Sequence, residues 1–133
     1  MESWLTFHTL IRIHISMDMN ALIRSIKSRP DYHRVGMILC HNGVVRGTMR
    51  DGTPVNKVTV RADYTAIERI VAKQKKRPGI IEILVYVNEG ELNVGDDLLA
   101  IVVAGDIREH VIPVLSDTLN QIKAQGTKKT EHV

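Results

Sequence analysis

Four cations stand at the ends of otherwise apolar or regular segments. Arg46 follows MILCHNGVV, Arg108 follows LLAIVVAGDI, and Lys123 and Lys129 bracket the close of the last predicted helix. Element ends, rather than faces, are where folds present working groups. Guanidinium and ammonium groups gathered in a partly desolvated pocket bind carboxylate and phosphate far better than scattered surface charges do, so a small organic anion is the first ligand class to consider. Arg108 opposes the dipole in the first turn of its predicted helix, which local structure does not reward, so a binding role explains its placement better. Lys123 is the reverse case: the dipole favours it near a helix C-terminus, and a structural lysine would look the same. On position alone, Arg46 reads more readily as a strand-end arginine paired to a surface carboxylate.

Composition narrows the field. A chain of 133 residues with 44% hydrophobic content can bury one ordinary core, which predicts a single domain. The net charge of +3 and pI near 9.2 permit anionic ligands without the Lys/Arg excess of a dedicated nucleic-acid binder. Lys73-Gln74-Lys75-Lys76-Arg77 reads as a solvated helix face, because aromatic residues make up only 4% of the chain and none interleave with these cations. The single Cys40 allows neither an intrachain disulfide nor a CxxC site. The histidines lack HxxxH or HxH spacing, so no metal is assigned, and His41 alone is kept as a candidate for lining a pocket. No apolar run approaches the roughly 20 residues of a membrane helix, and MESWLTFHTLIRIHIS lacks a secretory pattern, so a cytoplasmic protein with no membrane or nucleic-acid partner is expected.

The elements that must position these cations follow from periodicity. LIRIHI (10–15) alternates as a half-buried strand, with residues 1–9 as an extension of no clear pattern. DMNALIRSIKSR puts Met19, Leu22, Ile23 and Ile26 on one helical face, capped by Asp18 or Ser16 and terminated by Pro30. VGMILCHNGVV (35–45) predicts a central strand ending at Arg46, and GTMRDGTP a mobile loop or wide hairpin before the strand VNKVTVR. A helix over 63–77, a strand IIEILVYV, a connection NEGELNVGDD, a strand LLAIVVA and a helix from about 107 to 124 complete the chain. This alternation predicts an α+β domain with helices on one face of a mixed sheet.

Three motifs in this order resemble the MoaE family, the large catalytic subunit of molybdopterin synthase, over roughly residues 10–131. They are Gly43-Val44-Val45-Arg46, Gly90-Glu91-Leu92-Asn93-Val94-Gly95-Asp96, and Arg108 followed fifteen residues later by Lys123. The resemblance implies an α/β hammerhead fold with a mixed or antiparallel sheet, a domain over 10–124, and a tail over 125–133 that contributes to the active site. It implies sulfur transfer from the C-terminal Gly-Gly thiocarboxylate of a small ubiquitin-like, MoaD-type partner to cyclic pyranopterin monophosphate, forming the dithiolene of molybdopterin. The pterin is the substrate, and no metal or cofactor is implied. Two large subunits would dimerise, flanked by two small ones in a heterotetramer.

Residue by residue, the resemblance gives Lys123 and Lys129 catalytic roles, Lys129 being the tail lysine if one residue is deleted here, Thr130 the matching position without that gap, and Lys128 the fallback. Arg46, Arg108, His41 and Lys128 become substrate-binding candidates. Ile107 stands where many members have a histidine, and the tail's usual Pro and Trp are absent, Gly126 and Thr127 standing nearby. Fifteen residues of continuous helix would separate Arg108 from Lys123 by roughly 22 Å, too far to share one small substrate, which predicts a homodimer whose sites combine Arg46 and Lys123 of one chain with Arg108 of the other. Two rival readings are a non-catalytic dimeric scaffold of the same fold and, less favoured, a basic nucleotide- or RNA-binding domain.

Overall fold

The structure, a computed structural model, describes residues 10–11 and 17–133. Residues 1–9, residues 12–15 of the expected first strand, and the alternative cap Ser16 lie outside the described residues. In chain order the elements are β1 (Leu10–Ile11), α1 (Met19–Lys27), β2 (Met37–Val44), β3 (Lys57–Ala62), α2 (Tyr64–Lys75), β4 (Ile80–Val87), β5 (Gly90–Asn93), β6 (Asp97–Gly105), α3 (Arg108–Gln121) and β7 (Thr127–His132). A π-helical turn, Ile122–Gly126, joins α3 to β7. Among the described residues no helix is long and apolar enough to cross a membrane.

Two sheets form. The larger has the order β1-β4-β6-β2, with β1 parallel to β4 and the other pairs antiparallel. The smaller, β5-β3-β7, is antiparallel throughout. Strands β4 and β6 are apolar at almost every position because both faces of their sheet are covered. Ile83, Val85, Ile101 and Val103 point into the main core with Ile67 and Val71 of α2 and Val111 and Val114 of α3. Their alternates Leu84, Tyr86, Ala100, Val102 and Ala104 form a second core with Leu22 and Ile26 of α1. Helices therefore flank both faces, not the one face expected, and the unbroken apolar runs are the physical reason.

Two further expectations change, and a third, the loop or wide hairpin, is found as a hairpin. β2 is an edge strand rather than a central one, paired only with β6 among the described residues. The NEGELNVGDD connection contains a short strand, β5, which pairs with β3. The GTMRDGTP segment is a hydrogen-bonded hairpin: Met49 N–H donates to the Thr53 carbonyl at 2.8 Å, and Val55 N–H to the Gly47 carbonyl at 2.9 Å. The cap of α1 is Asp18, whose Oδ1 accepts from the amides of Asn20 (3.0 Å) and Ala21 (3.3 Å).

The buried carboxylate of Glu82 ties the layers together. It accepts from Arg29, after α1, at 2.8 Å, from Lys75, at the end of α2, at 2.8 Å, and from the Ile83 amide at 2.9 Å. A buried charge is tolerable only with partners of this kind.

Candidate active site

Strand β2 supplies the first wall. Its alternation turns Leu39 inward to the core and sets His41 on the same side, nearer the open end. Beyond the strand, Arg46 turns back and donates from Nε to the Thr48 carbonyl at 2.9 Å, which braces the base of the hairpin and leaves the terminal guanidinium nitrogens available. The hairpin tip brings Arg50 over the same hollow.

The second wall comes from the end of α3 and from β7. α3 gives way at Ile122 to the π turn, whose buried Ile122 and Gly126 anchor it against the core. Wider turns of this kind recur where a helix must place a functional group, and here the exposed residue next to the anchor is Lys123. In β7, Lys129 lies opposite Val60 and Glu131 opposite Val58, so both share the inward face of those buried valines. Lys128 lies opposite Arg61 and therefore on the outer face.

These walls enclose a cleft of about 520 Å³. Of the candidates read from sequence, His41, Arg46, Lys123 and Lys129 line it, while Arg108 and Lys128 do not. Arg108 sits at the far end of α3, largely exposed, 3.6 Å from Glu109. Two further charged residues that the sequence did not single out also line it: Arg50 and Glu131. A cation directly before the Asp51-Gly52 turn was the available signal for Arg50, and period two along TKKTEH was the signal that Glu131 shares a face with Lys129.

The electrostatics are one-sided. Among the described residues, four cations meet a single carboxylate, Glu131, which Lys129 approaches at 3.7 Å. Among the described residues, Arg46, Arg50 and Lys123 have no carboxylate within ion-pair distance. Burial, and secondarily the charge of Lys123, hold the His41 pKa below the ordinary imidazole value, so the ring is neutral near pH 7. Its nitrogens can therefore accept as well as donate. Val45, Val58, Leu98 and Leu99 give the floor an apolar surface. The arrangement suits a small ligand that presents an anionic group to the cations and an apolar part to Val45, Val58, Leu98 and Leu99. Among the described residues no three His, Cys, Asp or Glu side chains gather to hold a metal ion.

Comparison with other proteins bears on the fold and the family. The chain is 28% identical over 94 residues to an uncharacterized protein of Methanocaldococcus jannaschii, a match covering 68% of this chain and 79% of that one. Its fold is similar to that of molybdopterin cofactor biosynthesis protein E from Burkholderia multivorans, with TM-score 0.76 and 20% identity over 94% of this chain and 83% of that one. It is also similar to a chain in molybdopterin synthase from Staphylococcus aureus, with TM-score 0.73 and 17% identity over 93% and 89%. A third similar chain belongs to a complex of subunits 1 and 2 of molybdopterin-converting factor from Helicobacter pylori, with TM-score 0.68 and 14% identity over 92% and 82%. The family model of the MoaE protein matches residues 13–125, most of the sequence, and the chain belongs to the MoaE family.

Proposed function

We propose that this chain is the catalytic subunit of a molybdopterin synthase, moving sulfur from the thiocarboxylate terminus of a small MoaD-like partner to cyclic pyranopterin monophosphate. The observation that carries the reading is the convergence of Arg46, Lys123 and Lys129 on one cleft, in a chain of this family. The similar Helicobacter pylori chain, found in a complex of two subunits, supports a protein partner.

The chemistry needs cations twice. A phosphate must be held, and negative charge that develops on oxygen during acyl transfer must be stabilised by groups already in position. Arg46, with its Nε spent on the Thr48 carbonyl, offers a fixed pair of terminal nitrogens for the phosphate. Lys123 and Lys129 take the acyl end, with Lys129 as the tail lysine because it shares the cleft face. Neutral His41 stands beside Lys123 as a hydrogen-bonding group for the pterin.

Arg108 enters through a second copy of the chain. The helix and the π turn hold it at the opposite end of α3 from Lys123, so one chain cannot bring both to one small ligand. The proposed assembly is a homodimer with one small subunit at each outer end, working in the cytoplasm. The direct test is turnover of cyclic pyranopterin monophosphate by the purified chain with a thiocarboxylated small partner. In a verified mixed dimer, Arg108→Ala paired with Lys123→Ala should recover up to half of wild-type activity through one intact site, and no recovery would refute sharing. The scaffold reading draws support from Ile107, an apolar residue where the family often carries histidine, and it predicts partner binding without turnover.

A further inference from the structure

The hairpin between β2 and β3 carries a cation for which the reading above has no task. Arg50 lines the 520 Å³ cleft and also an adjoining hollow of about 320 Å³. Lys123 and Lys129 line both as well, as do Leu98 and Leu99, so these three cations stand where the two spaces adjoin. The adjoining hollow is otherwise walled mainly by Val60, Val87, Leu98 and Leu99.

Local structure holds Arg50 in place without using its charge. Met49 packs on the main core just before it. Gly52 follows with φ +91, closing a turn in which its amide donates to the Met49 carbonyl at 3.0 Å. The neighbouring acid, Asp51, is committed to the Thr53 amide at 2.9 Å. Hydrogen bonding from Thr53 holds the Asp51 carboxyl below its usual range and stabilises it as an anion facing its own turn. Glu131, the one carboxylate among the described lining residues, is approached by Lys129. A guanidinium left without a carboxylate among the described residues, on a braced hairpin beside two lysines, is unfavourable while the site is empty and rewarded when a dianion arrives.

We infer that Arg50 is a specificity residue of this site, adding a second guanidinium beside Arg46 to the phosphate of the ring substrate and so selecting phosphorylated over unphosphorylated ligands. The inference rests on the proposed reaction for the identity of the ring, but the anion contact is testable without turnover.

The test uses the full chain as wild type, Arg50→Ala and Arg50→Lys. Inorganic phosphate should raise the melting temperature of the wild type in low salt, and Arg50→Ala should lose most of that rise while melting, without phosphate, no lower than wild type. A merely structural arginine would instead lower the phosphate-free melting temperature and leave the phosphate effect intact, which would overturn the inference. In turnover with the small partner, Arg50→Ala should raise KM for the pterin roughly ten- to a hundredfold with kcat changed far less, as expected for loss of a charge-assisted contact. Arg50→Lys should recover part of it, since an ammonium keeps the charge but not the fork. An unchanged KM would also overturn the inference. If the wild type fails to turn over yet shows the Arg50-dependent phosphate effect, the proposed reaction falls and the anion contact stands.

Discussion

Removing one of two adjacent lysines should have sharply different consequences, because strand alternation separates them. Lys129 shares the face of Val60 and lines the cleft, whereas Lys128 lies opposite Arg61 on the outer face. An ammonium about 4 Å from a substrate oxygen interacts at roughly 4 kcal/mol at an effective dielectric of 20. Returning hydration offsets part of that, and charge-assisted hydrogen bonds lose about 1.5–3 kcal/mol when deleted. Lys129→Ala should therefore lower kcat/KM by roughly 10- to 150-fold. Lys128 lies on the outer face, away from the cleft, and screening at physiological salt acts over about 8 Å, so Lys128→Ala should change the rate by no more than about twofold. Neither change should alter folding, because the Lys129–Glu131 pair is 3.7 Å long and half exposed on the lysine side, the kind of pair that contributes roughly 0–1 kcal/mol. The assay is steady-state turnover with the thiocarboxylated partner, alongside urea denaturation. Equal losses for the two variants, or an intact rate in Lys129→Ala, would refute the assignment.

Other perturbations test the frame around the site. Glu82→Gln leaves Arg29 and Lys75 facing a neutral side chain; because those cations are about one-third exposed, the loss should be roughly 2 kcal/mol by urea denaturation, below the value for fully buried pairs. Gly126→Ala would bring a methyl to 2.7 Å from Ile67 Cγ1, in a core where overpacking costs about 1–3 kcal/mol, and by shifting the π turn it should also lower kcat through Lys123. The His41 pKa is depressed by burial and by Lys123, so as pH falls below 6.5 the unfolded chain takes the proton first and stability declines until the folded pKa is passed. Denaturation from pH 8 to 5 should show His41→Gln losing less stability over this limb than wild type, and parallel curves would contradict the depressed pKa.

The pattern of side chains reported what it could and missed what it had no means to report. IIEILVYV matches β4 at both ends, and the Asp63-capped helix is found to within two residues. Arg46 and Lys123 were visible because they close an element, and both line the cleft; Lys129 lines it too, from inside β7 rather than from an element end, while Arg108 does not. β2 was misplaced because an apolar run signals covered faces, while edge or centre is decided by backbone partners that side chains do not encode. β7 was invisible as a strand for a different reason. Its six residues, TKKTEH, include no hydrophobe, since its inward face meets a cleft rather than a core, and the cross-strand bonds to β3 supply the order that packing does not. The same circumstance makes β7 useful, because a strand whose inner positions need not be apolar can carry Lys129 and Glu131 into a pocket.

The position of Arg108 constrains how two copies could meet. A ligand small enough for the cleft cannot reach from Lys123 to the start of α3 of its own chain, so any contribution from Arg108 requires a second copy to bring its helix start to the hairpin side. Both regions carry half-exposed hydrophobes: Ile107 and Ile112 flank Arg108, and Val44 and Val94 flank the cleft mouth, with exposures between 47% and 49%. Val94 lies close to Gly47, next to Arg46. In a two-fold dimer the contact is self-complementary, so docking one apolar pair on the other buries both pairs twice and delivers Arg108 to each site. Arg50 then has a task distinct from that of Arg108. In such an assembly Arg50 would hold the anion from within the chain, before or without a partner copy, and Arg108 would add charge only in the dimer, so the site would bind weakly as a monomer and strongly as an assembly.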